Sequence, residues 1–222
     1  AGSLVNPALL RRCKPEAEIH DSARLDLNEV LDILIPAAKA GKRVVRLHTG
    51  DPSVYGAHRE QMDALKAAGV PFAVCPGVSS FFGAAASLGA EYTLPGVSQT
   101  VILTRAAGRT PVPEKERLSA LAAHGASMVL FLSAGRVAEA VSELLAGGYY
   151  TNEPPAAVVY KATWPDERIL RTTLGELAKE AEAAGITKTA LLLIGDFLGA
   201  AYENSKLYDP SFTTEFREGK QA

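Results

Sequence analysis

The chain has 222 residues, of which 47% are hydrophobic and 22% charged, enough apolar material for two domains of about 100 residues each. A formal net charge of −2 gives no basic stripe for nucleic acid, and no run approaches the roughly 18–20 apolar residues that cross a bilayer. The opening Ala1-Gly2-Ser3-Leu4 lacks the basic and apolar regions of a signal peptide, and Cys13 and Cys75 are far apart without metal-ligand spacing, so a cytoplasmic protein with two structural thiols is expected.

Asp26 is placed to cap a helix running to about Lys39, with Glu29 at the capping-box position and Gly41 beyond its end. Leu27, Val30, Leu31 and Leu34 give it one apolar face. Arg43–His48 (RVVRLH) then reads as a strand, His58–Ala68 as a helix stopped by Gly69 and Pro71, Phe72–Cys75 as a strand, and Ser79–Leu88 as a helix rich in small residues. Leu94-Pro95-Gly96-Val97 breaks the pattern and sets a domain boundary, with residues 1–98 before it and 99–222 after it. Next come a strand at Thr100–Thr104, a helix at Glu114–Ala123, a strand at Met128–Leu132 and a helix at Val137–Leu145. Strands Ala157–Lys161 and Arg168–Thr173 are joined by a short turn that makes them antiparallel. A helix over Leu174–Ala183 and a strand at Ala190–Ile194 follow. The alternation predicts an α/β fold of two domains with a largely parallel sheet, mixed in the second half. The polar tail from Tyr202 carries Tyr208, Phe212 and Phe216 as possible anchors.

Two local features carry chemistry. In Thr49-Gly50-Asp51-Pro52-Ser53-Val54-Tyr55-Gly56 a strand ends in a tight turn, and ligands of open α/β sheets bind beyond the carboxyl ends of strands. Gly50 and Gly56 permit close backbone approach, and Pro52 stiffens the turn. Taken alone, this segment also fits a plain strand-to-helix turn with Asp51 as its local cap. Cys75-Pro76-Gly77-Val78-Ser79-Ser80 repeats the arrangement, with Ser79 or Ser80 able to cap the following helix. His20, His48, His58 and His124 show no metal-ligand spacing. The Ser-His-Asp and GK[ST] patterns of hydrolases and phosphoryl transferases are missing.

The order TGDPSVYG, PGVSSFFGAAASLG, TRAAGRTPVPE, VVYKATWPDER resembles that of the tetrapyrrole methylases. It is most similar to the branch that methylates C-11 of cobalt-precorrin-4. The segments Gln99–Glu114, Val158–Arg168 and Ser205–Phe212 carry the branch-selective part, and the likeness spans essentially the whole chain. It implies homodimers of two α/β domains with a cleft between them, in which S-adenosylmethionine is held largely by main-chain groups and leaves as S-adenosylhomocysteine. By motif position, Thr49, Gly50, Asp51 and Val54 are implied at the methionine end, together with Ser79 and Ser80. Leu132, Ala162 and Ala190 are implied at the adenine. The family opens with a strand and a GxGPG-type turn that has no counterpart in these 222 residues, so the first strand of the first domain and one wall of the cofactor cleft are expected to be missing, and weak cofactor binding by this polypeptide is the corresponding expectation.

Methyl transfer from a sulfonium is an in-line displacement that needs positioning above all. A general base could remove a proton afterwards; Asp51 is the candidate, with shaping of the turn as its alternative role. The tetrapyrrole acceptor carries several carboxylates, for which arginine is the expected reader. Arg105 and Arg109 lie in the selective segment, with Lys161 and the stacking Trp164 near a strand end, and Arg46, Arg168 and Arg171 on or near neighbouring strands. Two other readings remain: a methylase of the same fold acting on another precorrin, on ribosomal RNA or on a diphthamide precursor, and an inactive truncated fragment. No bound metal, nucleic acid or membrane partner is expected.

Overall fold

The computed structural model describes every residue except Ala1, Ser3, Ala200, Gln221 and Ala222. The chain divides into two compact units, Ala1–Gly83 and Ala84–Ala222. The expected boundary near Pro95–Ser98 lies inside the second unit.

The first unit is built on two helices, α1 (Leu27–Lys39) and α2 (Arg59–Ala67). The capping box at α1 forms as the sequence indicates. The Asp26 carboxylate accepts from Glu29 N–H at 2.9 Å, and Glu29 accepts from Asp26 N–H at 2.8 Å, satisfying two of the donors that a helix start leaves open. Arg43–His48 and Phe72–Cys75 are a correction: neither forms a ladder with any described residue. A β-branched run becomes a strand only when a neighbour accepts its backbone bonds. Without one, Val45 stays 74% exposed.

The third helix, α3 (Ser80–Leu88), leads into the second unit. There the strands are β1 (Val101–Arg105), β2 (Ser127–Phe131), β3 (Pro155–Tyr160), β4 (Arg168–Thr173) and β5 (Ala190–Ile194), in sheet order β1-β2-β5-β3-β4. Only β1 and β2 run parallel; β5 inserts antiparallel to both β2 and β3, and β3–β4 is the expected hairpin. The sheet is therefore mixed, as expected for the second half of the chain. Its central strands β2 and β5 are buried along their whole length, whereas edge strand β4 has no fully buried residue.

Helices α4 (Leu118–Ala122), α5 (Val137–Ala146) and α6 (Leu177–Ala183) supply Leu118, Val141, Leu144 and Leu177 to a core shared with Met128, Leu130, Val158 and Leu192. The single helix expected over Glu114–Ala123 is split. Glu114–Glu116 forms a 3-10 turn, and Arg117, with ψ 146°, goes extended before α4 begins. The tail residues named as anchors stay outside: Phe216 is 91% exposed. Arg217 holds the tail instead, donating to the Leu207, Asp209 and Phe212 carbonyls.

Leu192 is fully buried in the central strand. Leu192→Ala is expected to cost about 2–5 kcal/mol through lost burial and the cavity left behind. Leu207→Ala, at an exposed site, should stay within about 0.5 kcal/mol. Urea denaturation of the two variants checks the contrast.

Candidate functional site

In the first unit one carboxylate joins the two glycine-containing turns. Asp51 Oδ1 accepts from Ser53 N–H at 2.8 Å, closing its own turn. Asp51 Oδ2 accepts from Gly77 N–H, also at 2.8 Å. The Pro-Gly-Val-Ser-Ser segment is thereby tied to the Gly-Asp-Pro turn. Their backbones touch, because a side chain on Gly77 would put its Cβ 2.1 Å from the Gly50 carbonyl oxygen, so no other residue fits. Gly50 itself has φ +60° and faces the backbone of Ser79 and Ser80. Thr49, Gly50, Asp51, Ser79 and Ser80 thus form one cluster, with Val54 in the same turn and Ser79 buried at the start of α3.

The two bonds to Asp51 stabilise its charged form. The Gly77 N–H contributes most and Ser53 next, lowering the Asp51 pKa from 3.8 to about 2. A carboxylate that ionises there is a poor proton acceptor at neutral pH. The geometry accordingly gives Asp51 the turn-shaping role of the two considered for it.

In the second unit the sheet topology gathers the other candidates at one end. Arg105 pairs with Phe131 in the parallel β1–β2 ladder, so Leu132 and the loop after Arg105 leave the sheet side by side. Tyr160 pairs with Ala190 across the antiparallel β3–β5 ladder, which brings the Lys161–Trp164 turn to the same end. Backbone strain concentrates here. Leu132 has φ 53°, Lys161 50°, Thr163 69° and Thr189 56°, a region that side-chain-bearing residues rarely occupy and that clusters at functional sites. Every residue implied at the adenine is either one of these or adjacent to one. In the first unit Tyr55, next to Val54, has φ 56°.

Buried and paired groups hold the strained residues in place. Ser133, fully buried after Leu132, donates from Oγ to the Phe131 carbonyl at 2.7 Å and accepts from Ala106 N–H at 2.9 Å. This turns Leu132 outward, and it is 65% exposed at a strand end. Lys161 N–H donates to the Thr189 carbonyl at 2.9 Å. Glu167 accepts from Thr163 N–H and from Ser87 Oγ, at 2.5 and 2.7 Å. Sequence reasoning missed Ser133 and Glu167. The only visible signal was a small polar residue directly after an apolar strand, and an acid closing the Trp-Pro-Asp-Glu turn.

The cationic candidates divide by what they already bind. Arg105 donates to the carbonyls of Ala106, Thr110 and Pro111 at 3.2, 3.1 and 2.8 Å, so it closes the loop that follows it. Arg109, in that loop, is exposed and makes no ion pair or side-chain hydrogen bond with the described residues. Lys161 pairs with Asp166 at 2.5 Å, and its ammonium lies 5.0 Å from the centre of the Trp164 ring. The Asp166 hydrogen bond chiefly holds the Lys161 pKa above its ordinary value.

Because the Asp51 pKa is depressed in the fold, its stabilisation is complete above the unfolded value of 3.8 and is lost as pH falls through about 2. Asp51→Asn should flatten the acid-side loss of stability between roughly pH 4 and 2, as followed by thermal melts across that range. A carboxyl NMR titration of Asp51 with a midpoint near 4 would contradict the assignment.

The family model for tetrapyrrole (corrin/porphyrin) methylases matches residues 2–178. A cobalt-precorrin-4 C(11)-methyltransferase of Methanocaldococcus jannaschii is 52% identical over 219 residues, covering 98% of this chain and 84% of that protein. A precorrin-4 C(11)-methyltransferase of Rhodococcus erythropolis is 47% identical over 210 residues, covering 94% and 84%. Among solved structures, a cobalt-precorrin-4 methyltransferase of cobalamin biosynthesis superposes with a TM-score of 0.85 at 47% identity, covering 88% of this chain and 82% of that one. Uroporphyrin-III C-methyltransferase of Thermus thermophilus, in complex with S-adenosyl homocysteine, superposes with a TM-score of 0.73 at 26% identity, covering 89% and 84%. Match and geometry agree, and the chain belongs to the tetrapyrrole methylases and is a methyltransferase.

Proposed function

We propose that the chain transfers a methyl group from S-adenosylmethionine to C-11 of cobalt-precorrin-4, a step of cobalamin biosynthesis. The observation that carries this reading is the set of strained strand-end residues with open backbone, joined to the branch-selective segments around Arg105–Arg109 and Lys161–Trp164. The residues fit the donor. Gly50 and Gly77 let the two turns meet backbone to backbone, which sets Thr49–Val54 beside Ser79 and Ser80. Leu132 offers an exposed apolar side chain, and the turn around Ala162 offers main-chain groups. Thr49, Gly50, Asp51, Val54, Ser79 and Ser80 would hold the methionine end, and Leu132, Ala162 and Ala190 the adenine.

The bound donor supplies an activated methyl on a sulfonium. This chain's residues have to fix the acceptor against it, and rigid placement can account for up to about 7–11 kcal/mol of the barrier. Of Arg105, Arg109 and Lys161, Arg109 is the one with no side-chain bond to the described residues, and it would pair with an acceptor carboxylate. Arg105 holds its loop, and Lys161 with Trp164 offers a charged edge and a flat face. No side chain of this set is assigned as a base. No helix of the described residues is long and apolar enough to cross a membrane. A homodimer in the cytoplasm belongs to the same reading.

Incubation with S-adenosylmethionine should release S-adenosylhomocysteine with cobalt-precorrin-4 or with precorrin-4, and not with ribosomal RNA. Turnover with RNA alone would overturn the reading. Arg109→Ala should raise the acceptor KM about tenfold, the loss of one charge-assisted contact. The dissociation constant for S-adenosylmethionine should stay within about twofold.

A further inference from the structure

Beside the Gly-Asp-Pro turn, the first unit carries an open pocket of about 150 Å³. Its walls include Leu4, Arg46, His48, Thr49, Val54 and Tyr55. The Thr49 hydroxyl donates to the Leu4 carbonyl at 3.1 Å, holding two sides together. The guanidinium of Arg46 is fixed from behind. Its Nε donates to Gln61 Oε1 at 3.2 Å, and one Nη donates to the Leu47 carbonyl at 3.4 Å. Gln61 is buried, and its own amide nitrogen donates to the Ala57 carbonyl at 3.2 Å, which directs its oxygen to Arg46.

Arg46 therefore spends two of five donors and presents the rest. No acidic residue lines the cavity, and Arg46 makes no ion pair with the described residues. A half-buried cation without a counter-charge is unfavourable unless something supplies one. Burial lowers the Arg46 pKa accordingly. The neighbouring His48 is also pushed down, by burial first and by Arg46 second. At neutral pH it is an uncharged imidazole with one donor and one acceptor. His58 packs edge-on to it, ring centres 6.0 Å apart.

We propose that this cavity is a carboxylate pocket in which Arg46 forms the charge-assisted contact and His48 a second, neutral one. The volume is enough for a short carboxylate-bearing arm. Thr49 and Val54 belong both to this cavity and to the turn implied at the methionine end. The carboxylate accordingly comes from one of the two reactants: a side arm of the acceptor or the amino-acid end of the methyl donor. The inference rests on the methyl-transfer reading for its ligands, although the pocket itself can be probed without turnover.

In the wild-type chain, the Arg46 Nε–H NMR signal should shift on titration with sodium propionate and stay in place with sodium chloride at equal ionic strength. In the enzyme assay, Arg46→Gln should raise either the acceptor KM or the dissociation constant of S-adenosylmethionine at least tenfold, and leave the other within twofold. The constant that moves names the source of the carboxylate. His48→Gln should move the same constant by a smaller factor, and Arg46→Lys should recover part of the loss. An Arg46 signal indifferent to propionate overturns the pocket. So does an Arg46→Gln variant, folded by circular dichroism, that leaves both constants unchanged. Absence of turnover in the wild type, with the propionate shift intact, would instead overturn the methyl-transfer reading and leave the pocket standing.

Discussion

The pair of hydrogen bonds accepted by Asp51 is the interaction on which the first unit's site depends. One of them closes the Gly-Asp-Pro turn on Ser53; the other draws Gly77 against Gly50. A charged acceptor between two backbone donors, one from each turn, can fix the separation of the two, because such bonds are stronger than neutral ones. The glycines follow from that choice. With the turns held this close, a Cβ at position 77 would overlap the Gly50 carbonyl.

The second unit reaches the same result by a different route. Its central strands are buried throughout and packed by α4, α5 and α6, which makes the sheet stiff enough to hold unfavourable dihedrals at its end. Leu132, Lys161, Thr163 and Thr189 each adopt a left-handed conformation without being glycine, and such residues persist only where their surroundings over-determine them. The over-determination is visible atom by atom. Ser133 clamps the ends of β1 and β2, and Glu167 clamps the Thr163 turn to Ser87 at the end of α3. Arg171 adds a hydrogen bond to the Leu88 carbonyl from β4. What this strain leaves is backbone and one exposed leucine at a strand end, surfaces suited to a flat base and a main-chain-bound ligand.

Local patterns were legible wherever one element determines itself. The Asp26–Glu29 capping box, the β3–β4 hairpin and strands β4 and β5 lie where sequence places them. Pairing was not legible, since nothing in Arg43–His48 or Phe72–Cys75 states whether a neighbour accepts their backbone bonds, and nothing in β5 announces that it inserts antiparallel between β2 and β3. For the candidate site, motif order nominated residues but not their division of labour. Arg105 and Arg109 are chemically identical in the sequence. The structure separates them by three backbone carbonyls, all bound by Arg105.

That separation bears on how a site for a many-charged acceptor is built. A guanidinium already shared among three carbonyls has little left to offer a ligand, but it fixes the path of the loop that carries its neighbour. Arg46 has a similar double nature within one side chain. Gln61 and the Leu47 carbonyl take two of its donors, and the residue lines a pocket without an acid. Fixing the guanidinium before a ligand arrives removes most of the rotamer entropy that a free arginine would lose on binding. Orientation, rather than the number of cations, then decides which carboxylate is accepted. A surface lysine cannot substitute for this: its point charge attracts any anion and selects no geometry. On the proposed reading, discrimination among tetrapyrroles that differ in the placement of their acetate and propionate arms would rest more on Arg46, whose far edge is held by the protein, than on the exposed Arg109.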